Sequence, residues 1–191
     1  MEPTTVHLDA QQIRVLAHPL RSRLLGRLRM DGPATATRLA EALGTNTGAT
    51  SYHLRRLAEV GLVAEAESAG RGRERWWRAA HDMSSWRRDA FAGDSDATAA
   101  ADWLDSHALQ RFVARAESWQ RARPDAPPAW RAAAGFSDFI LNLGTEQLTA
   151  LDAELEAVIE RYRVLGETEP GPDARQVLLY LYAVPRLEDP A

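Results

Sequence analysis

A succession of short helices, each with its own start and stop residues, constrains the N-terminal part of the chain more than any other feature. Residues 9–30 carry apolar side chains at helical spacing, and Pro19 divides this stretch into two helices with a bend between them. Thr35 is placed to cap a following helix, which ends at Gly44. This part is therefore predicted to be a compact set of helices.

The next helix lies in "TNTGATSYHLRRLAEVGLV", residues 45–63. Either Thr45 or Asn46 can cap it, and Gly61 stops it shortly after its last turn. Leu54 and Leu57 share one face with Thr50 and His53, so that face is predicted to be buried. The opposite face is small or polar first and cationic further on, and comprises Thr47, Gly48, Ser51, Tyr52 and Arg55.

A hairpin is predicted directly after these helices. Two extended runs, about 62–67 and 74–79, flank the glycine-containing "AGRGR". Arg71 and Arg73 lie at the predicted tip, and consecutive Trp76 and Trp77 are expected to face opposite sides, one in the core and one partly exposed. Helices followed by such a hairpin are the plan of a winged helix-turn-helix.

Ser51 and His53 raise the question of catalysis. Residues two apart on a helix do not face each other, and no strand-to-helix elbow of the G-x-S-x-G kind is present. His53 is interpreted as a half-buried helix residue hydrogen-bonded within the domain. An enzyme is therefore not predicted.

DNA binding explains the same helix better. Its N-terminal end suits insertion into a major groove, where Ser51 and Tyr52 reach base edges or phosphates. Arg55 and Arg56 are expected to reach the DNA backbone. The tip arginines are interpreted as contacts to phosphate or to the minor groove, the alternative being charges that only favour solubility.

The distribution of charge supports a polyanionic partner for the N-terminal part only. Residues 11–81 have a net charge of +6, from 12 arginines and 6 acidic residues, whereas the remainder has −10, from 11 arginines and 21 acidic residues. Cysteine is absent, which excludes disulfides and thiolate metal sites. Neither a signal peptide nor an apolar run of membrane-spanning length is recognised, so a soluble cytoplasmic protein is expected.

The C-terminal part is predicted to mix helix and strand. A long helix covers 97–122 and a linker covers 123–129. The segments "GFSDFILNLG" and "QVLLYLYAV" are predicted strands, and between them lies an amphipathic helix capped by Thr145. A parallel pair in a small βαβ unit fits the connection lengths, and an antiparallel pair remains an alternative. The predicted fold is mainly α with small β parts, with domains at 1–81 and 82–191.

Three stretches together resemble a known family: "LAHPLRSRLLGRL", "ATRLAEALGTNTGATSYHLRRLAEVGLV" and "GRGRERWWRAA". They are similar to the arsenical-resistance-repressor family of bacterial winged-helix regulators over residues 10–80. The resemblance implies a homodimer that binds an inverted-repeat operator in double-stranded DNA, usually as a repressor released by an effector. It also implies reading-helix roles for Thr47, Ser51, Tyr52 and Arg55 and wing-tip roles for Arg71 and Arg73.

No metal site or cofactor is predicted. Asp105-x-His107 resembles half of one metal-sensor motif of that family, but Ser118 and Arg121 occupy the positions where further ligands would be needed. Asp105 and His107 are therefore interpreted as part of a solvated helix face. Any effector is expected to be small, organic and fairly apolar.

Aromatic residues of the C-terminal part are the candidates to hold such an effector. They could line an apolar cavity or, alternatively, fill the core or a dimer interface. The stripe formed by Leu104, Phe112 and Trp119 exceeds what one packing partner should cover, which predicts pairing of the long helix with a second copy. The candidate ligand-binding residues are Trp86, Trp103, Phe112, Trp119 and Trp130.

These observations predict a dimeric DNA-binding transcriptional regulator, most simply a repressor. The alternative is a winged-helix module that binds another protein without sequence-specific DNA binding. Strongly salt-dependent binding to DNA distinguishes the two.

Overall fold

The computed structural model describes residues 5–66 and 74–186. Its secondary structure is mainly helical, with short strands in the N-terminal half. The chain divides into two compact units, Met1–Arg111 and Phe112–Ala191.

Four helices of the first unit confirm the predicted succession. The bend at Pro19 separates the first two, and His18 caps the second by accepting a hydrogen bond at Nδ1 from the Leu20 N–H at 3.1 Å. The helix that Thr35 was predicted to cap begins at the next residue, with the Arg38 N–H donating to the Thr35 hydroxyl at 3.3 Å. The four helices are α1 (Ala10–Leu16), α2 (Pro19–Asp31), α3 (Ala36–Leu43) and α4 (Thr47–Glu59).

The hairpin forms as part of a small antiparallel sheet. β3 (Val63–Ala66) pairs with β4 (Trp76–Ala79) in a register that sets Glu65 opposite Trp77. The two-residue strand β2 (Ala34–Thr35), before α3, covers the other edge of β4. Trp77 is buried and Trp76 is half-buried, which confirms the predicted alternation.

A second, parallel strand pair was not predicted. β1 (Thr5–His7) lies beside β5 (Met83–Ser85), and the Ser85 hydroxyl and His7 Nδ1 are 2.7 Å apart. Three-residue strands are too short to show a period of two, so only the approach of distant parts of the chain reveals them.

The core of the first unit continues beyond residue 81. A 3₁₀ turn, Arg88–Phe91, buries Phe91, and the first turns of the long helix α5 (Ser95–Ala122) bury three alanines and Leu104 against the same cluster. Leu104 was expected to face a second copy. It instead packs inside its own chain, because the short alanine side chains let α5 approach the helical core closely. The largest fully buried side chains are Ile13, Leu24, Thr50, Leu54, Leu57 and Leu62.

The second unit contains the end of α5, a 3₁₀ turn (Arg123–Asp125), α6 (Pro128–Ala133) and α7 (Thr145–Thr168). The predicted linker is thus partly helical. Gly144, and not Thr145 as predicted, is the N-cap of α7, and its N–H donates to the Gln147 side chain at 2.9 Å.

The two predicted C-terminal strands do not form within the described chain. Residues 134–144 and 174–186 are irregular, so neither the parallel nor the antiparallel pairing is present. A strand is stable only when its backbone groups have a hydrogen-bonding partner, and here each segment lacks a paired strand. Their apolar side chains are open to solvent, with Ile140 92% exposed and Tyr182 79% exposed.

The amphipathic helix α7 likewise keeps its apolar face uncovered. No residue of α7 or α6 is buried, and Leu155, Val158 and Tyr162 are all exposed. The described part of the second unit therefore presents a large apolar surface that the unit itself does not enclose.

Candidate nucleic-acid interface

The start of α4 is set by Asn46, which decides between the two predicted caps. The Asn46 side-chain oxygen accepts a hydrogen bond from the Ala49 N–H at 2.7 Å. The Asn46 carbonyl accepts a second bond from the Thr50 hydroxyl at 3.0 Å. The first bond satisfies an orphan N–H of the first turn and fixes where the helix begins. The second ties the Thr50 side chain to the same residue.

One face of α4 anchors it to the helical core. Thr50, Leu54 and Leu57 are fully buried, as the apolar spacing predicted. At the other end Gly61 adopts a φ of +72°, which turns the chain into β3. The helix is therefore held at both ends and along one side, so its outer face has a fixed orientation.

The outer face carries the side chains predicted to contact DNA. Thr47, Gly48, Tyr52 and Arg55 are exposed, with Tyr52 at 56%, and Ser51 is half-buried. Small and hydroxyl-bearing groups lie at the N-terminal end of this face, and the Arg55 guanidinium lies one turn further on. The face thus offers hydrogen-bond donors and acceptors on a helix that can enter a groove.

A shallow depression of about 300 Å³ separates α4 from the base of the hairpin. Thr47, Ser51 and Arg55 line it on the side of α4, and Arg75 lines it on the side of the hairpin. Its remaining lining residues are Thr35, Ala36, Thr37, Glu74 and Trp77. Hydroxyls and cations predominate among the polar groups, which suits contact with phosphate oxygens.

Two arginines contact the base of the hairpin. Arg75 forms an ion pair with Glu65 at 3.1 Å and its guanidinium lies 5.7 Å from the centre of the Trp77 ring. Arg38 of α3 lies 4.9 Å from the centre of the Trp76 ring. The Arg38–Trp76 contact joins α3 to the hairpin, whereas the contacts of Arg75 lie within the hairpin. The predicted tip residues Arg71 and Arg73 lie outside the described residues.

Arg56 and His53 occupy the flank of α4 that faces away from the hairpin. Arg56 is half-buried and paired with Glu59 one turn later. His53 is half-buried as predicted, but the predicted hydrogen bond is missing at Nδ1, which has no partner among the described residues. Burial, with a smaller effect of nearby cations, lowers the pKa of His53 below its ordinary value.

A helix-turn-helix domain model matches residues 16–66, which span α2, α3, α4 and β3. The crystal structure of a possible transcriptional regulator for arsenical resistance is 31% identical in sequence. The match covers 55% of this chain and 95% of that one, with a TM-score of 0.33. The chain belongs to the arsenical-resistance-repressor-like family of winged-helix regulators.

Other solved structures are similar to this winged-helix regulator at lower identity. A transcriptional regulator is 25% identical, with 78% of this chain and 83% of that one covered and a TM-score of 0.29. Lactococcus lactis ZitR, as its C30AH42A mutant in apo form, is 15% identical, with 75% and 83% covered and a TM-score of 0.31. Among curated proteins none matches the chain.

The half-motif Asp105-x-His107 does not converge in the winged-helix regulator. The Asp105 carboxylate lies 3.6 Å from the Arg88 guanidinium, whereas the His107 ring stacks on Trp103 with centroids 4.7 Å apart. Across residues 5–66 and 74–186, histidine and acidic side chains form no cluster of three or more that could hold a metal ion. In the same ranges no helix is both long and apolar enough to cross a membrane.

The five candidate effector residues are distributed over both units, and all are half-buried. In the first unit, Trp86 and Trp103 pack against the core. In the second, the Phe112 ring lies 5.1 Å from the Tyr180 ring, and Trp130 lies under the Arg175 guanidinium. The assignment of these residues, with Trp119, to an effector site stays a prediction.

Several residues near α4 were missed by the sequence interpretation. Thr37 and Arg75 line the depression, and Arg21 and His18 approach the opposite flank of α4. The "RGRER" run could have suggested Arg75. Nothing in the local sequence indicates that His18 and Arg21 lie beside a helix that begins 26 residues after Arg21.

Proposed function

We propose that this winged-helix regulator is a repressor that binds an inverted-repeat operator as a homodimer. In this proposal α4 enters the major groove and the hairpin β3–β4 is the wing. Thr47, Gly48, Ser51 and Tyr52 meet base edges or phosphates, and Arg55 and Arg56 meet the backbone. Arg71 and Arg73 extend the same interface at the wing tip.

The observation that carries the proposal is the outer face of α4. It is exposed, fixed in orientation by Asn46 and by three fully buried residues, and graded from small hydroxyl-bearing groups to cations. Recognition helices contact bases through their N-terminal residues, and that is where Thr47, Gly48 and Ser51 lie. A catalytic role lacks comparable support, because Ser51 and His53 lie on different sides of the helix.

The homodimer is supported by the apolar surface of the second unit. Monomeric proteins seldom expose large contiguous apolar areas, and α7 together with the irregular segments exposes many apolar side chains. A second copy would cover this surface and would place two α4 helices about a two-fold axis, which requires an operator with the same symmetry.

An organic effector is the remaining part of the proposal. The aromatic residues of α5 and the segments around it are the candidates to hold it. Such a ligand would release DNA only by binding the DNA-competent and DNA-incompetent dimers with different affinity.

Selection of bound duplexes from a random DNA pool tests the function directly. The expected product is a consensus with two-fold symmetry, bound with an affinity that falls steeply as salt is raised. Weak, salt-independent retention without enrichment of any sequence would contradict the proposal and would favour the alternative, a module that binds another protein.

A further inference from the structure

A histidine pair lies on the flank of α4 opposite the wing. The rings of His18 and His53 have centroids 4.5 Å apart and are tilted by 36°. His18 is the N-cap of α2, and its Nδ1 accepts from the Leu20 N–H. Because Nδ1 is an acceptor, the neutral ring carries its proton on Nε2, where it is available to another acceptor.

Two arginines accompany this pair. Arg21 lies close enough to lower the pKa of both histidines, and Arg56 lies close enough to lower that of Arg21. The Arg21 Nε is buried and has no hydrogen-bond partner among the described residues. Of these four side chains, Arg56 is paired with Glu59. His18, Arg21 and His53 form no ion pair with an acidic side chain among the described residues.

Ion pairs engage an acidic residue of α4 and a charged residue of α1. Glu59 is paired with Arg56. On α1, which also packs against α4, Arg14 forms an ion pair with Asp94 at 2.5 Å. Tyr52 contacts the His53 ring edge-on at 5.1 Å and contributes a phenol at the rim of the group.

These side chains lie where a helix placed in the major groove of DNA meets a phosphate backbone. An α-helix with its side chains is about 10–12 Å across, and the major groove is about 12 Å wide. A helix lying in the groove therefore has a phosphate backbone along each flank. The wing and Arg75 lie beside one flank of α4. The opposite flank carries four side chains: His18, Arg21, His53 and Arg56.

We propose that His18, Arg21, His53 and Arg56 form a binding site for a backbone phosphate of DNA on the flank of α4 opposite the wing. This inference rests on the proposed DNA-binding function and adds Arg21 of α2 and the N-cap His18 to the interface. Arg21 donates through its guanidinium, and His18 through Nε2. The contact is independent of sequence because a phosphate carries no base identity.

Phosphate binding at this site is coupled to protonation. In the free protein burial and Arg21 disfavour the charged histidines, and an adjacent phosphate favours them. The complex then takes up protons, and its affinity rises as the pH falls through the range in which histidine titrates. Each unit by which binding raises a pKa corresponds to at most about a tenfold gain in affinity.

The first test measures the salt dependence of binding to a random-sequence duplex. Arg21→Gln should lower the slope of log K against log salt by about 0.9 for each protomer bound, because one phosphate contact is lost. Arg27→Gln is the matched control, since Arg27 lies on the same helix and pairs with Asp31. Equal slopes for the two variants would overturn the proposal.

The second test compares affinities at about pH 5.5 and pH 7.5. The wild-type protein should bind more tightly at the lower pH, and His53→Gln should lose most of that gain. His7→Gln, at the β1–β5 pair, should retain it. A full gain in His53→Gln would overturn the role of the histidines.

Circular dichroism confirms that each variant is folded before these comparisons. If the wild type binds DNA, and Arg21→Gln and His53→Gln keep its salt slope and its gain in affinity at low pH, the phosphate site is refuted. The proposed DNA-binding function would still stand. A folded wild type that binds no duplex at low salt would remove both.

Discussion

The Asn46 side-chain oxygen accepts the Ala49 N–H at 2.7 Å and thereby fixes the first turn of α4. Asn46→Ala should lower the free energy of unfolding by about 1 kcal/mol, because α4 loses its N-cap hydrogen bond. Asn46→Ser should recover most of that loss, since serine is also a good N-cap. Urea denaturation followed by circular dichroism measures both, and equal stability of Asn46→Ala and the wild type would contradict the role of the cap.

The outer face of α4 should determine sequence preference. Ser51→Ala and Tyr52→Ala should each reduce the preference for a selected operator over random DNA by about 1–3 kcal/mol for a lost base contact. Competition binding with the two duplexes measures this ratio. Glu41→Gln, at an exposed position of α3, serves as the control. A uniform loss of affinity for both duplexes would assign these two side chains to the DNA backbone instead.

The tip arginines should act without sequence preference. Arg71→Ala and Arg73→Ala should weaken binding to all duplexes and flatten its salt dependence, because contacts to phosphate release counterions. The measurement is the slope of log K against log salt for operator and random DNA. Arg123→Ala, in the second unit, is a control that removes the same charge elsewhere. An unaltered slope in both wing variants would show that the hairpin is not a DNA-binding wing.

The free protein should become less stable as the pH falls below about 6.5. Burial, followed by nearby arginines, lowers the pKa of His18 and His107 in the folded state, so the unfolded chain binds more protons at low pH. The contribution of these histidines to stability is fully present above the pKa that histidine has in the unfolded chain. It declines as the pH falls below that pKa.

Urea denaturation at several pH values, with His107→Gln compared with His7→Gln, measures this contribution. A smaller decline in His107→Gln is expected, since that change removes one group with a lowered pKa. Indistinguishable profiles for the two variants would contradict it. The direction is opposite to that expected for DNA affinity, because DNA supplies the counter-charge that the free protein lacks.

The apolar surface of the second unit should mediate self-association. Sedimentation at micromolar concentration is expected to show a dimer, and Ile140→Ser or Tyr182→Ser should shift it toward monomer, because each removes apolar area from the proposed interface. Met83→Ser is the control, since Met83 is 49% exposed but lies in the first unit. A wild-type protein that stays monomeric would contradict the proposed dimer. It would also remove the reason to expect an inverted-repeat operator.

The sequence by itself determined the elements of the winged helix and the outer face of α4. Thr35, Gly44 and Gly61 act through hydrogen bonds and backbone angles of their own neighbours, so their effects are readable locally. The burial of Leu54 and Leu57 followed from helical spacing, since a periodic apolar face can be satisfied only by a core.

The tertiary structure decided what depends on the approach of distant segments. The contact of His18 with His53 joins residues on different helices, and no local pattern encodes it. The sequence predicted that Leu104 would face a second copy, whereas the close approach allowed by the alanines of α5 places it in the core of its own unit. The C-terminal strands failed for the same reason, because β-propensity gives an extended chain but only a neighbouring strand supplies the hydrogen bonds that make it a sheet.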